Sequence, residues 1–248
     1  MREKILKAAH LSGEGHVPSA LSILDLLYVF FITYPERMGL VAQRDFDFLL
    51  SKGHASLGLY AVLEEAKFIE DDWVQEFCKS GSDYGGHPDR LKIPGVIAST
   101  GSLGHGLPIS VGRALGYFKS GERRQVFCLI GDGELNEGSN WECFVLMEQF
   151  ELSNLTVIID LNYSTDRAIS IESIDKKLEK FDFAIHIIDG HDHNQIISAI
   201  QFSSTRPKVI IAHTVKGKGI SEMENNHAWH HKSPNESQLN HFLERLKQ

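Results

Sequence analysis

Short apolar segments rich in β-branched residues alternate with segments of helical periodicity through the second half of the chain. Strands are predicted at 125–130, 155–160, 184–188 and 207–212, and helices at 137–150, 171–180 and 194–202. Strands separated by helices form βαβ units, whose strands pair in parallel and whose helices cover the sheet. Because a parallel sheet buries both faces, its strands are apolar on both sides. The pattern therefore predicts an α/β fold with a central parallel sheet and helices on both faces.

The first half of the chain contributes one more strand, two helices and a long loop. Apolar spacing predicts helices at 21–34 and 55–67, with a short buried strand at 46–50 between them. Seven glycines lie within residues 80–106, so this segment is predicted to be loop. A loop of this length inside a compact domain usually builds a site. Because no repeat, low-complexity tract or long linker interrupts the chain, residues 1–248 are predicted to form one domain.

Composition excludes several classes of protein. A hydrophobic content of 42% supports a sizeable core, and a net charge of −8 disfavours general binding to nucleic acids or anionic membranes. No apolar segment approaches the roughly 20 residues that span a bilayer, and residues 1–10 lack the apolar part of a signal peptide. Of the three cysteines, Cys128 and Cys143 lie in apolar segments and are predicted to pack as small hydrophobic residues. These features predict a cytoplasmic protein.

The strongest local signal is the segment Gly-Asp-Gly-Glu-Leu-Asn-Glu-Gly at 131–138, directly after a predicted strand. Asp132 would leave the strand tip as a hard oxygen ligand, and Asn162 follows the next strand. Ligands of parallel sheets bind beyond the carboxyl ends of the strands, where 213–214 is also expected. A carboxylate, an amide oxygen and a backbone carbonyl suit Mg²⁺ or Ca²⁺, and Mg²⁺ commonly adds phosphate oxygens. A strand-to-helix turn in which Asp132 only caps the helix is the alternative.

Segment 131–138 with Asn162 about 30 residues on resembles the thiamine diphosphate signature, in which a divalent metal pins the cofactor's diphosphate to the carboxyl edge of a parallel sheet. Other segments resemble transketolases and occur in the family's order. They are 14–16, 51–55, 86–89, 100–106, 223–226 and 229–232. The sequence of residues 133–142 is most similar to that of the split transketolases, which are encoded as separate N-terminal and C-terminal subunits. The resemblance extends from about residue 7 to residue 232.

The resemblance implies a thiamine diphosphate-binding fold and a set of cofactor-binding residues. The implied ligands of Mg²⁺, for which Ca²⁺ or Mn²⁺ could substitute, are Asp132, Asn162 and the Ser164 carbonyl. The implied diphosphate-binding groups are His54, His230 and the Gly133 backbone. Backbone atoms of Gly101 and Leu103 would approach the cofactor's rings.

The same resemblance implies roles in catalysis. His16 and His87 would line the channel above the thiazolium ring and contact substrate hydroxyls. Glu137 would lie at a dimer contact and couple two cofactor sites. A neutral histidine can donate a hydrogen bond to a phosphate oxygen and can move protons near neutral pH, which agrees with these roles.

The implied activity is transfer of a two-carbon ketol unit from a ketose or ketose phosphate to an aldose. The chain ends at Gln248, soon after the diphosphate-binding half. We therefore expect it to need a separately encoded C-terminal subunit carrying the pyrimidine-binding domain, and to be catalytically incomplete alone. Self-association is expected, with a two-by-two assembly as the natural arrangement.

Two other functions are compatible with the sequence. His105 stands where many transketolases have glutamine, and segment 163–173 lacks the glycine of the usual loop, so a related enzyme acting on a modified or nucleotide-linked sugar is one alternative. A non-catalytic scaffold subunit is the other, although a scaffold has no need of the five residues His16, His54, His87, Asp132 and Asn162. A zinc cluster of His227, His230 and His231 lacks a fourth ligand with convincing spacing.

Overall fold

The computed structural model describes residues 1–165 and 169–247, in which five strands form one fully parallel sheet of order β1-β2-β3-β5-β4. The strands are β1 (Phe46–Leu50), β2 (Gln125–Gly131), β3 (Leu155–Leu161), β4 (Ala184–Asp189) and β5 (Lys208–His213). Each of the five predicted strands is confirmed to within one residue at either end. Apolar, mostly β-branched residues dominate the three central strands, as expected for a sheet covered on both faces.

Eleven α-helices connect and cover these strands within the described residues. They are α1 (Arg2–Ser12), α2 (Val17–Ser22), α3 (Leu24–Tyr28), α4 (Tyr34–Met38), α5 (Ser56–Glu65), α6 (Trp73–Glu76), α7 (Gly106–Ser120), α8 (Gly138–Gln149), α9 (Ile174–Leu178), α10 (His193–Gln201) and α11 (Glu236–Arg245). None of these described helices is both long and apolar enough to cross a membrane.

Helices lie on both faces of the sheet, as predicted. Neighbouring strand residues point to opposite faces, so Phe48 packs into one buried cluster and Leu49 into another. Helices α1, α2, α3, α5, α10 and α11 supply the first cluster, and α7, α8 and α9 supply the second. Cys128 and Cys143 are buried in the second cluster, which confirms their predicted role as small hydrophobic residues.

Four helices, α1, α6, α7 and α11, were not predicted from the sequence, and α4 overlaps a predicted helix by only one residue. Helix α7 is the instructive case, because Gly112, Gly116 and Pro108 obscure its helical pattern. Proline is tolerated in the first turn of a helix, and both glycines are exposed. The buried positions 107, 111 and 114 repeat at helical spacing against the sheet and stabilise α7.

Several predicted helix boundaries were wrong. The single helix expected over 21–34 is instead a series that starts at Val17, breaks at Ile23 and contains a π-helical turn, Val29–Thr33. The helix expected at 171–180 is limited to α9. The predicted loop is confirmed over 80–105, whereas Gly106 begins α7.

Candidate functional site

A cavity of about 420 Å³ opens at the carboxyl edge of the sheet, where the register of β1, β2 and β3 brings their ends together. Nine of the eleven predicted site residues line this cavity. They are His16, His54, His87, Gly101, Leu103, Asp132, Gly133, Ser164 and His230. The two that do not are Asn162, which is buried beside it, and Glu137, which is exposed at the start of α8.

Three histidines from distant parts of the chain meet in this cavity. His16 precedes α2, His54 lies in the 3₁₀ turn Gly53–Ala55, and His230 follows the turn His227–Trp229. The ring centroid of His16 lies 5.2 Å from that of His54 and 5.6 Å from that of His230.

Burial sets the protonation of these histidines. It lowers the pKa of His54 to about 2, helped by the nearby Lys52 charge. Burial, followed by the neighbouring histidines, lowers the pKa of His16 to about 4. Both rings are therefore neutral near pH 7 and each has one N–H donor and one nitrogen acceptor.

Two lysines line the cavity. Lys52 and Lys216 are both buried, and Nζ of Lys216 lies 3.0 Å from Nδ1 of His230. Burial and the charge of Lys52 lower the pKa of Lys216 to about 8. The pKa of His230 is lowered by burial and then by Lys216. The charge of Lys52 is matched by the buried Asp160 carboxylate, so Lys216 and the neutral histidine N–H donors are the groups that suit an anionic ligand such as a diphosphate.

Oxygen atoms of Asp132 and Asn162 converge on one backbone amide. The Ser164 N–H donates to Oδ2 of Asp132 at 3.0 Å and to Oδ1 of Asn162 at 3.1 Å. The Gly133 N–H donates to Oδ1 of Asp132 at 2.8 Å. Burial and the neighbouring Asp160 charge raise the pKa of Asp132. A hard divalent cation would relieve this repulsion, and a carboxylate with an amide oxygen is a fitting donor set for Mg²⁺.

A buried network below this site surrounds the carboxylate of Asp160. The carboxylate pairs with Lys52 and accepts hydrogen bonds from Ser22, at 2.9 Å, and from Thr214. It also accepts a hydrogen bond of 2.9 Å from Nδ2 of Asn162. Because the amide nitrogen of Asn162 is held on this side, its oxygen is directed to the Ser164 amide.

Glu134 joins three segments of the cavity wall. One carboxylate oxygen accepts hydrogen bonds from Ser51 Oγ at 2.6 Å and from the Gly104 N–H at 3.1 Å. The other accepts from the Gly131 N–H at 3.0 Å. Burial raises the pKa of Glu134. These contacts fasten the long loop to the ends of β1 and β2.

Close packing at two glycines shapes the same wall. A Cβ atom at Gly53 would lie 2.6 Å from the Thr100 carbonyl oxygen, and one at Gly101 would lie 3.1 Å from the His87 ring. Thr100 also donates from Oγ1 to the Leu50 carbonyl at 2.7 Å. The loop therefore lies against the end of β1 at a distance that only glycine allows.

Several residues that line the cavity were given no individual role from the sequence. They are Ser19, Lys52, Glu134, Thr165 and Lys216, together with Gly131 of the predicted segment 131–138. The strand-end rule that selected Asp132 and Asn162 would also have found Lys52, which follows β1 by two residues.

Outside the cavity, His191 contacts Asp25 at 2.9 Å and accepts a hydrogen bond of 2.9 Å from the Val215 N–H, so its ring links three parts of the chain. Among residues 1–165 and 169–247, no three His, Cys, Asp or Glu side chains are grouped to hold a metal ion. Of the unusual segment 163–173, residues 166–168 lie outside the described residues.

Comparisons with known proteins agree with this geometry. A family model described as "Transketolase, thiamine diphosphate binding domain" matches residues 4–246. The chain is 38% identical over 256 residues to a subunit of apulose-4-phosphate transketolase from Actinobacillus succinogenes, covering 99% of this chain and 92% of that protein. It is 32% identical over 249 residues to the protein of the same name from Phocaeicola vulgatus, covering 96% of this chain and 88% of that protein.

Solved structures extend the comparison to longer proteins. The transketolase of Campylobacter jejuni superimposes with a TM-score of 0.83 at 26% identity, covering 99% of this chain. Only 42% of that transketolase is covered. The chain thus spans about two fifths of the solved transketolase, but nearly the full length of the two apulose-4-phosphate transketolase subunits.

Proposed function

The chain belongs to the transketolase family, and from that premise we propose that it is the diphosphate-binding subunit of a split transketolase that transfers a two-carbon ketol unit from a ketose phosphate to an aldose. The observation that carries the proposal is that Asp132, His54 and Lys216 line one cavity. Next to it, the side-chain oxygens of Asp132 and Asn162 converge on the Ser164 amide. This arrangement combines a metal-binding donor set with a wall of histidine N–H donors and the Lys216 ammonium group.

The residues present fit thiamine diphosphate and Mg²⁺. Asp132, Asn162 and the Ser164 carbonyl would hold Mg²⁺, which Ca²⁺ or Mn²⁺ could replace. His54, His230 and the Gly133 backbone would donate hydrogen bonds to the diphosphate, and backbone atoms of Gly101 and Leu103 would contact the rings. Once bound, the cofactor supplies the nucleophilic carbon that carries the ketol unit.

His16 and His87 would act on the substrate side of the cavity. Because His16 is neutral, it can donate to one sugar hydroxyl and accept from another, and can hold a proton transiently at a ring nitrogen. His87 packs over Gly101, so its ring would lie near the bound cofactor. Both would orient hydroxyl groups next to the reacting carbon.

We also propose a separately encoded C-terminal subunit that supplies the pyrimidine-binding domain, and self-association of the chain. Helices α7 and α8 expose the apolar side chains of Ile109, Phe118, Val145 and Leu146. Glu137, the residue predicted at a dimer contact, is exposed at the start of α8. We place the contact at these side chains, because exposed apolar patches mark interaction surfaces. Light scattering of Val145→Glu should show a smaller assembly than wild type.

We propose a ketose phosphate as the donor substrate. Two relatives are named for apulose 4-phosphate, so turnover of this donor is measured first. It is then compared with turnover of xylulose 5-phosphate with ribose 5-phosphate, and with turnover of nucleotide-linked sugars. Turnover of pentose phosphates alone would exclude the specialised alternative.

The deciding experiment is calorimetric titration of thiamine diphosphate with Mg²⁺, on this chain alone and with the candidate C-terminal subunit. We expect tight binding in the pair and a loss of about 100-fold or more in Asp132→Ala, because the metal loses its charged ligand. The exposed Asp182→Ala serves as the matched control. Binding unchanged in Asp132→Ala would contradict the assignment. No binding by the wild-type pair would favour the scaffold alternative.

A further inference from the structure

The ring of His16 is held by other rings. Within the described part of the chain, no hydrogen bond reaches either of its ring nitrogens, in contrast to His191, whose two nitrogens are both engaged. His54 and His230 meet the His16 ring at interplanar angles of 63° and 85°. His231 stacks on it face to face, with centroids 4.4 Å apart and planes inclined by 30°.

His231 is in turn held by Glu14. Nε2 of His231 lies 3.3 Å from Oε2 of Glu14, and both side chains are about half exposed. Glu14 and His16 flank Gly15, which has a φ of 117° and would clash with Leu57 if it carried a Cβ atom. The short loop 14–16 is therefore fixed against α5 and contacts His231 through two of its side chains.

We propose that His231, oriented by Glu14, is a positioning residue that fixes the ring plane of His16 at the mouth of the cavity. The imidazole N–H bond and lone pair lie in the plane of the ring, so a fixed plane determines the directions in which His16 can donate and accept. The contact itself rests on the geometry, whereas its consequence for the sugar substrate rests on the proposed function.

Electrostatics at the cavity mouth supports the same role. The pKa of His16 is lowered first by burial and then by the neighbouring His231, His230, His87 and Lys216. The stacked ring contributes to the burial as well as to the charge. His231 therefore helps to keep His16 neutral, the form that both donates and accepts hydrogen bonds.

The first test needs no cofactor or partner. NMR titration of the His16 ring in the isolated chain would compare wild type with His231→Ala and His231→Phe. We expect the pKa of His16 to rise in both variants, because each removes the His231 charge, and to rise further in His231→Ala, which also exposes the ring. Identical titration of His16 in wild type and His231→Ala would overturn the proposal.

The second test uses the reconstituted enzyme. His231→Ala should lower kcat/KM about tenfold, because a misoriented contact to the reacting substrate is costly, and His231→Phe should restore it to within about threefold. Glu14→Gln should fall between them. Thiamine diphosphate affinity should stay within about twofold of wild type, since His231 does not line the cofactor cavity.

A matched control is available on the surface. His241 also pairs with a carboxylate, at 2.7 Å from Glu222, but lies on α11 outside the cavity. His241→Ala should leave kcat/KM and the His16 titration unchanged. Equal losses of kcat/KM in His231→Ala and His231→Phe would contradict positioning through a stacked ring. If the wild-type pair turns over no sugar, the proposed function fails, and the NMR titration alone decides this inference.

Discussion

Nδ2 of Asn162 donates a hydrogen bond of 2.9 Å to Oδ2 of Asp160, two residues earlier in the chain. Asp160 is fully buried and forms an ion pair with Lys52. Asn162, a predicted metal ligand, is therefore oriented by an ion pair whose members are not themselves predicted ligands. Contacts of this kind commonly tune metal affinity in proteins. The oxygen of Asn162 is left on the side of Ser164 and Asp132.

The effects of substituting Lys52 and Asp160, which form a buried ion pair, on the free energy of unfolding should be strongly non-additive. Lys52→Met leaves a buried carboxylate without its cation, and should lower the free energy of unfolding by about 3–5 kcal/mol. The double variant with Asp160→Asn should recover part of this loss, because neither charge of the pair then remains buried and the amide oxygen can still accept hydrogen bonds from Ser22 and Thr214. Urea denaturation measures both effects. Arg206→Met, which breaks an exposed pair with Asp182, should change stability by less than about 1 kcal/mol.

Stability should fall on acidification partly because of His54. Its folded pKa of about 2 lies below its ordinary value of 6.5, so between these limits the unfolded chain binds a proton that the folded chain does not. This contribution is complete above pH 6.5 and is lost as pH falls. Urea denaturation from pH 8 to pH 5 should show a slope for His54→Asn that is smaller by up to about one proton. Equal slopes for the two proteins would refute this prediction.

Glu134 should stabilise the loop that carries Gly104. In Glu134→Gln, an amide NH₂ group must face at least one of three hydrogen-bond donors, so unfolding free energy should fall by about 1–3 kcal/mol. Hydrogen exchange at the Gly104 amide should accelerate in the same variant. Glu142→Gln, at an exposed position of α8, is the control and should leave both measurements unchanged. Unaltered exchange at Gly104 in Glu134→Gln would contradict the role of this carboxylate.

Alanine substitutions at two glycines of helix α7 should have opposite effects, one harmful and one stabilising. A Cβ atom at Gly106 would lie 2.7 Å from Cα of Ser51, so Gly106→Ala must displace α7 from the end of β1 and weaken thiamine diphosphate binding. A Cβ atom at Gly112 would meet nothing within 4 Å. Gly112→Ala should stabilise the isolated chain by about 0.5–1 kcal/mol, because alanine favours a helix interior. Thermal unfolding and calorimetric titration distinguish the two outcomes.

Local sequence patterns were sufficient to predict the strands of the sheet and part of the candidate site. The strands were predictable because apolar β-branched runs record burial on both faces of a parallel sheet. Asp132 and Asn162 were predictable because each directly follows a strand, and neighbouring parallel strands end at one edge. Helix α7 was missed because its stability comes from packing against the sheet, which outweighs the low helix propensity of its glycines.

The sequence by itself therefore determined the fold class, the strand ends and the identity of the chemical groups placed there. Tertiary structure alone decided which distant groups meet: Asp160 with Lys52, and His16 with His231. The physical reason is that the periodicity of apolar residues shows which side of a helix or strand is buried, but not which other segment covers that side. Contacts across more than 100 residues depend on how whole helices and loops pack, to which no local pattern is sensitive.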